Sequence, residues 1–238
     1  MKRVIIIGAT SGIGRQLAKL FVDAGFIVGA TGRRKHLLEE LKSEHPEKIF
    51  ISAFDITDTD TVPEKLAVLV KEIGGLDLLV LSSGTGHVNH ALDFVLEREA
   101  IDTNVLGFTR IADWTFDFFQ KQRSGQFVGI SSIAGIRGGR HAPAYNASKA
   151  YQISYMDGLR HKAAKLKLPI VITDIRAGFV ETSMAKGEGA FWIAPLEKAS
   201  RQIYRAIRNK ESVAYVTKRW VIIALLLRLV PRTIYQRI

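Results

Sequence analysis

Short apolar runs alternate along this chain with longer stretches in which apolar residues recur every three or four positions. The short runs are rich in Val and Ile and have few polar positions, which is typical of strands covered on both faces of a parallel sheet. We predict strands at residues 3–8, 26–31, 48–54, 76–82, 126–131, 170–176 and 212–216.

Helical periodicity fills the segments between these strands. Apolar residues from Ile13 to Ala24 recur at helical spacing, and Gly25 is placed to end that helix. Longer helices are predicted over residues 91–121 and 143–167. The alternation predicts an α/β fold, a Rossmann-type doubly wound sheet of about seven parallel strands with helices on both faces.

The domain organisation is simple. A length of 238 residues suits one α/β domain, and no repeat, linker or composition break divides the chain. The first apolar run has only four residues before a glycine loop, so we interpret it as a strand and not as a signal peptide. We predict one domain over residues 1–217 and a C-terminal extension over 218–238.

The composition is that of a folded globular protein, with 47% hydrophobic and 24% charged residues. Because the chain has no cysteine, it can form no disulfide, no thiol nucleophile and no Cys-ligated zinc site. An intracellular, cytoplasmic location fits this composition.

The glycine-rich turn "GATSGIG" (8–14) follows the first strand and opens a helix. Gly8, Gly12 and Gly14 have no Cβ to block the approach of a pyrophosphate, which helix-start amides can then hold. The alternative is an ordinary tight turn between strand and helix. We predict a dinucleotide site.

The end of the second strand bears on which dinucleotide is bound. An NAD site usually has Asp or Glu there, whereas this chain has Gly32 followed by Arg33 and Arg34. Two guanidinium groups suit a 2′-phosphate, so we expect NADP(H) in preference to NAD. The alternative is a solvated Arg-Arg pair at a helix start.

A candidate proton-transfer site lies further along the chain. Tyr145 and Lys149 share one helical face, and the lysine charge is expected to lower the pKa of the phenol below its usual value of about 10. An acid with such a pKa can protonate a developing alkoxide. Ser132, just after a strand, could donate a hydrogen bond to the same oxygen.

Together these motifs resemble the short-chain dehydrogenase/reductase family over residues 3–216. The motifs are "GATSGIG", "DIT" (55–57), "SSG" (82–84), "NVLG" (104–107), "SSIAG" (131–135), "YNASK" (145–149) and "AGFVETSM" (177–184). Their joint occurrence, in order, is far more specific than any single motif.

The resemblance implies a role for each matching residue. Ser132, 13 residues before Tyr145, would hold the substrate carbonyl, and Tyr145 would be the acid/base. Lys149 would bind the nicotinamide ribose and lower the pKa of Tyr145, while Asn104 would anchor a water that links Lys149 to solvent. The implied cofactor contacts are Gly8, Thr10, Ser11, Gly12, Ile13, Gly14, Arg33, Arg34, Asp55, Ile56, Ser83, Gly84, Tyr145, Lys149, Gly178, Val180 and Thr182.

Two segments could shape the substrate site. Arg137, Arg140 and His141 precede Tyr145 and could recognise an acidic group, or form a solvated loop. Residues 185–195 resemble the family's mobile substrate lid, with Gly187 and Gly189 as hinges and Phe191 and Trp192 as apolar cover.

The C-terminal extension combines an apolar run with high positive charge. Residues 220–230 are apolar except for Arg228, and their number falls well short of the roughly 20 that a spanning helix needs. Residues 201–238 hold nine basic side chains and one acid, most of the net charge of +11. We expect an apolar, basic helix that is buried or part of a dimer interface, lies in a membrane interface, or walls the substrate pocket.

Three functions are compatible with these observations. The first is an NADPH-dependent carbonyl reductase, reversible as an alcohol dehydrogenase, whose substrate could be lipid-like. The second is a non-catalytic dinucleotide-binding sensor or scaffold, and the third is a nucleic-acid binder, which lacks a recognition module. The filled catalytic positions favour the reductase, and we expect no nucleic-acid partner. The resemblance also implies a homodimer or homotetramer, because the family usually pairs through its two long helices.

Overall fold

A computed structural model describes residues 1–182 and 191–237 of the chain. In this part, seven parallel strands form one sheet in the order β3-β2-β1-β4-β5-β6-β7. The strands are β1 (Arg3–Ile7), β2 (Ile27–Gly32), β3 (Ile49–Ala53), β4 (Leu78–Leu81), β5 (Gly125–Ser132), β6 (Ile170–Ala177) and β7 (Val213–Val216). All seven predicted strands are confirmed, each within two residues of its expected bounds.

Helices cover both faces of this sheet, as predicted. They are α1 (Gly12–Asp23), α2 (Lys35–Glu44), α3 (Val62–Ile73), α4 (Phe94–Ile101), α5 (Phe108–Gln122), α6 (Pro143–Leu166), α7 (Leu196–Arg208), α8 (Trp220–Leu229) and α9 (Arg232–Tyr235). The helix predicted over 91–121 is interrupted by a π-helical turn, Asp102–Gly107, between α4 and α5. A short 3₁₀ helix, Ile133–Ile136, follows β5.

The sheet separates two apolar cores. Along β1, Val4 and Ile6 pack with α1, α2 and α7, whereas Ile5 and Ile7 pack with α3, α5 and α6. Because successive side chains of a strand point to opposite faces, a strand between two helical layers needs apolar residues at every position. This requirement explains the uninterrupted Val- and Ile-rich runs.

The strand order determines where a ligand-binding crevice forms in this fold. The chain leaves the central β1 to build β2 and β3 on one side, then crosses back to build β4 on the other. A crevice forms beyond the carboxyl ends of the strands where the order reverses, here between β1 and β4. The loop after β1 and the segments after β4, β5 and β6 therefore meet at one edge.

The C-terminal extension packs on this same edge. In α8, Trp220 and Ala224 are buried against Ile133 of the 3₁₀ helix. The opposite face of α8 leaves five apolar side chains exposed: Val221, Ile222, Leu225, Leu226 and Leu229. Over the described residues, every helix is too short or too polar to cross a bilayer.

Candidate active site

The glycine loop is held between β2 and the loop after β4. The amides of Gly8 and Ala9 both donate to the Thr31 carbonyl, at 3.0 and 2.8 Å. Gly8 has φ +89°, and a Cβ built there would lie 2.7 Å from the Ser83 hydroxyl. Backbone bonds to β2 thus hold the loop, and Gly8 occupies a conformation and a space that favour glycine.

The start of α1 fits a pyrophosphate. A Cβ on Gly14 would lie 2.1 Å from the Gly8 carbonyl, so loop and helix can approach this closely only with glycine there. Ser11, at the N-cap, makes no side-chain capping bond to the helix, which leaves the first-turn amides for an anion. Ile13 is half-buried against the core.

The two arginines after β2 occupy different surroundings. The Arg34 guanidinium donates to the hydroxyls of Thr10 and Ser11, both at 2.7 Å. Arg33 is 69% exposed and lies 3.5 Å from the carboxylate of Asp55. Arg34 therefore retains an uncompensated charge beside two hydroxyl groups, which together suit a phosphate ester.

The remaining predicted cofactor contacts line the same crevice. Ile56 is buried, and its carbonyl would lie 2.8 Å from a Cβ on Gly107 of the π-helical turn. A Cβ on Gly84 would meet the Lys149 ammonium at 3.3 Å. The loop after β4 thus runs directly beside the candidate proton-transfer residues.

The segment after β6 approaches the glycine loop from the other side. The Thr182 methyl would lie 3.3 Å from a Cβ on Gly12, and the Thr182 hydroxyl donates to the Val180 carbonyl. The Gly178 amide donates to the Val216 carbonyl, and Gly178 lies against the indole of Trp220. The last part of the "AGFVETSM" motif, and Gly187 and Gly189, lie outside the described residues.

Asn104 is fully buried in the π-helical turn. Its side chain accepts a hydrogen bond from the Thr85 amide at 3.0 Å and donates to the Thr85 carbonyl and to the Ser148 hydroxyl. These bonds tie the turn to the loop after β4 and to α6, the helix that carries Tyr145 and Lys149.

Ser132, Tyr145 and Lys149 come together at the end of β5. The Ser132 hydroxyl donates to the Ala177 carbonyl at 3.2 Å and accepts from the Ala134 amide at 3.1 Å, and its side chain lies near the Tyr145 phenol. The Lys149 ammonium lies 5.8 Å from the centre of the Tyr145 ring. The four residues of the tetrad predicted from the sequence lie close together; Asn104, Ser132 and Lys149 are buried, and Tyr145 is partly buried.

The pKa values at this site differ from the expectation. Burial raises the pKa of Tyr145, and its contact with Ser132 opposes that rise only in part. Burial also lowers the pKa of Lys149 to about 8, while the charge of Asp174 acts in the opposite direction. The prediction that Lys149 lowers the pKa of Tyr145 is therefore wrong in this structure, because desolvation of the phenol dominates the shift.

Several residues of the site were not predicted. Thr85 and Ser148 hold Asn104, and Gly86 lies so close to Tyr145 that a Cβ would be 2.3 Å from its ring. Gln152 bonds both Lys149 and the backbone of Asn104. The sequence does offer one signal for Ser148 and Gln152: they lie three residues after Tyr145 and Lys149, respectively, on the same helix, a spacing that places side chains on one face.

The basic loop before Tyr145 is largely engaged with the C-terminal segment. Arg137 donates to the Val230 carbonyl at 2.6 Å and lies over the Tyr235 ring, whose hydroxyl donates to the Gly138 carbonyl. Arg140 and His141 contact each other on the surface. Among the described residues, no group of three His, Asp or Glu side chains could hold a metal ion.

Sequence comparisons identify relatives over most of the chain. The family model described as short chain dehydrogenase matches residues 2–191. An uncharacterized oxidoreductase of Myxococcus xanthus is 34% identical over 188 residues, which cover 77% of this chain and 74% of that protein. A second, from Mycobacterium tuberculosis, is 33% identical over 192 residues, covering 77% and 75%.

Solved structures show the same fold. ElxO with NADP bound superposes with a TM-score of 0.79 at 25% identity, covering 90% of this chain and 96% of its own. A short-chain dehydrogenase from Streptomyces avermitilis gives a TM-score of 0.82 at 23% identity, covering 95% and 91%. The second likeness concerns the fold alone.

Proposed function

The chain belongs to the short-chain dehydrogenase family and is an NAD(P)-dependent oxidoreductase, and from this premise we propose that it reduces a ketone or aldehyde to an alcohol, reversibly. One observation carries the proposal: Ser132, Tyr145 and Lys149 lie close together beside a glycine loop that fits a pyrophosphate. A protein that only binds a dinucleotide has no chemical need for that arrangement.

The proposed mechanism divides the work among three side chains. The glycine loop and Arg34 would hold NADPH, which would supply a hydride for the carbonyl carbon. Tyr145 holds its proton because burial raises its pKa, and it gives that proton from Oη to the carbonyl oxygen. Ser132 orients that oxygen. Lys149, charged below its pKa of about 8, stabilises the tyrosinate that remains.

We propose NADP(H) as the preferred cofactor. The support is local: the Arg34 guanidinium lies between two hydroxyls, and the acid that an NAD site needs after β2 is replaced by Gly32. ElxO, which shares the fold, has NADP bound, and this agrees with the proposal.

The substrate is proposed to have apolar surroundings around its carbonyl. Phe179, Phe191, Trp192 and Trp220 form an aromatic cluster beside Gly178, with ring centres 5.0–6.1 Å apart. Phe191 and Trp192 are partly exposed, so they can cover an apolar chain at the mouth of the site. A lipid-like carbonyl compound fits such a lining.

The test is oxidation of NADPH with ketones of increasing chain length, comparing the native chain with Tyr145→Phe. We expect turnover that rises with chain length and falls about 10²- to 10⁴-fold in the variant, since a general acid contributes that much. NADPH binding, followed by fluorescence titration, should persist in the variant.

Tyr151→Phe is the matched control. It removes a phenol hydroxyl from the same helix, where the hydroxyl bonds Thr109 at 2.7 Å, and it should retain turnover. Tight NADPH binding by the native chain without turnover of any ketone would favour the non-catalytic sensor instead.

We also propose that the chain forms a homodimer or homotetramer through α5 and α6. Trp114 and Phe118 of α5 stack at 5.4 Å and remain partly exposed, whereas Phe116 and Phe119 of the same helix are buried in the core. The exposed aromatic surface of α5 is thus centred on one stacked pair.

We also propose that residues 1–217 form the catalytic domain and that residues 218–238 extend from it. We propose that α8 contacts an anionic membrane surface. Its five exposed apolar side chains form one face, and residues 218–238 contain five basic side chains and no acid. An apolar face with cationic flanks complements a bilayer of anionic lipids.

A further inference from the structure

We propose that Gln152 is a positioning residue that holds the Lys149 ammonium between β5, the π-helical turn and Tyr145. The inference rests on the proposed function for its catalytic meaning, although the placement of Lys149 can be measured without turnover. Gln152 lies one helical turn after Lys149 on α6 and is 1% exposed.

The orientation of the Gln152 amide is determined by its two partners. Its Nε2 donates to the Asn104 carbonyl at 3.0 Å, and its Oε1 accepts from the Lys149 ammonium at 3.0 Å. A carbonyl can only accept and an ammonium can only donate, so the amide satisfies both partners in one orientation and neither in the other. This single side chain therefore links Lys149 to Asn104.

The π-helical turn makes the Asn104 carbonyl available for this bond. The Phe108 amide donates to Thr103, five residues back, and not to Asn104, four residues back as in an α-helix. Gln152 supplies a donor in its place. The buried carbonyl is thereby satisfied by the same group that restrains Lys149.

Lys149 is held from two sides. Its ammonium donates to the Ile130 carbonyl of β5 at 3.1 Å as well as to Gln152. An ammonium has three N–H donors, so these two bonds leave one N–H for the crevice beside Gly84. Losing the Gln152 bond would allow the ammonium to rotate away from Tyr145.

The charged groups around Lys149 are few. Tyr145 faces it from α6, and Asp174 of β6 acts on its pKa from the opposite side. Asp174 is itself paired with Arg176 at 2.7 Å and accepts a hydrogen bond from Ser131. With one carboxylate already shared, the neutral Gln152 acceptor contributes directly to keeping the buried ammonium charged.

Two substitutions separate the contributions of the two amide ends. Gln152→Leu keeps the approximate volume but removes both bonds, so we expect the pKa of Lys149 to fall by about one unit, the shift that a charge-assisted bond of about 1.4 kcal/mol gives. Gln152→Glu retains an acceptor for Lys149 and adds a negative charge, so the pKa of Lys149 should rise above that of the native chain.

The first readout is independent of turnover. Titration of ¹³Cε-labelled lysine by NMR, with Lys149 assigned by Lys149→Arg, reports the pKa of Lys149 in each variant. The second readout is the pH dependence of kcat/KM for ketone reduction. Its alkaline limb, where Lys149 loses its proton, should move to lower pH in Gln152→Leu and to higher pH in Gln152→Glu.

Gln126→Leu is the matched structural control. Gln126 is also a buried glutamine whose Nε2 donates two hydrogen bonds, to Thr173 and Ile207, but it lies at the start of β5, far along the strand from Ser132. Both Leu variants should lose stability in thermal unfolding, and only Gln152→Leu should change the Lys149 titration.

The proposal would be overturned if Gln152→Leu lost as much stability as Gln126→Leu but left the Lys149 titration unchanged. Gln152 would then have only a structural role. If Gln152→Leu fails to fold, an unchanged titration in Gln152→Glu overturns it equally. Absence of ketone turnover in the native chain would contradict the proposed function while leaving the NMR result to decide the role of Gln152.

Discussion

Arg34 and Arg33 are adjacent in the sequence but differ in what they can offer a ligand. Arg34 is held by two neutral hydroxyls, whereas Arg33 lies beside the Asp55 carboxylate and is largely exposed. A solvated ion pair contributes little, and an ordered guanidinium beside hydroxyl donors presents a prepared phosphate site. Cofactor preference should therefore depend mainly on one of the two residues.

Arg34→Ala should raise the KM for NADPH about 10- to 100-fold, as expected for loss of charge-assisted hydrogen bonds worth roughly 1.5–3 kcal/mol. The KM for NADH, which has no 2′-phosphate, should change little. Steady-state kinetics with NADPH and with NADH measure the two KM values. Arg33→Ala is the control, and it should change the KM for NADPH less than Arg34→Ala does. Equal losses for NADPH and NADH would contradict a phosphate contact.

For single residues, the sequence predicted which side chains lie close together better than it predicted their pKa values. Local motifs predicted that Asn104, Ser132, Tyr145 and Lys149 share one site, and the structure brings them close together, while their catalytic roles stay predictions. The direction of the Tyr145 pKa shift was predicted wrongly, since it depends on desolvation of the phenol. Thr85 was missed because its partner Asn104 is 19 residues away, and the bond from Gln152 to Asn104 was missed because it joins residues 48 apart through a backbone carbonyl.

Among the elements, the turn between β1 and α1 leaves little room for substitution. The contact between Gly14 and the Gly8 carbonyl joins the first turn of α1 to the end of β1. Gly14→Ala should therefore destabilise the fold by roughly 1–3 kcal/mol, as overpacking does, and weaken NADPH binding by displacing the loop. Thermal unfolding and fluorescence titration measure the two effects.

Gly138→Ala provides the comparison. A Cβ at Gly138 meets nothing within 4 Å, so its stability should change by less than about 0.5 kcal/mol. If Gly14→Ala were as stable as Gly138→Ala, the close approach of loop and helix would not be needed for folding.

The regular elements could be predicted because their apolar periodicity is local. The π-helical turn at Asp102–Gly107 could not, since the stretch from 91 to 121 keeps an amphipathic pattern across it. Within the turn, Asn104 contacts Thr85, Ser148 and Gln152, none of which is local in sequence. The local pattern therefore carries no signal for the turn.

For the whole molecule, the exposed face of α8 and its basic flanks predict binding to a membrane surface. The native chain should cosediment with vesicles of phosphatidylcholine and phosphatidylserine, more weakly as salt screens the basic flanks. Leu226→Glu should reduce vesicle binding about tenfold or more, because a buried Leu contributes roughly 1.5–3 kcal/mol.

Val68→Glu is the matched control for this experiment. Val68 on α3 is 52% exposed and Leu226 is 53% exposed, so the two variants make the same change in charge on comparable surfaces. Equal vesicle binding by both variants would contradict the membrane proposal. A change of oligomeric state in Leu226→Glu, measured by light scattering, would instead assign the face to a second copy of the chain.

The aromatic cluster beside Gly178 affects the intrinsic tryptophan fluorescence of the protein. Two of the three tryptophans, Trp192 and Trp220, lie in that cluster, and only Trp114 lies apart on α5. Reduced nicotinamide absorbs light at the wavelengths that indole emits, so a cofactor bound at this edge of the sheet would quench the two nearby tryptophans by energy transfer. Replacing Trp114 with Phe would leave a chain whose intrinsic emission arises from the mouth of the site alone, and occupancy could then be followed in real time without any added dye.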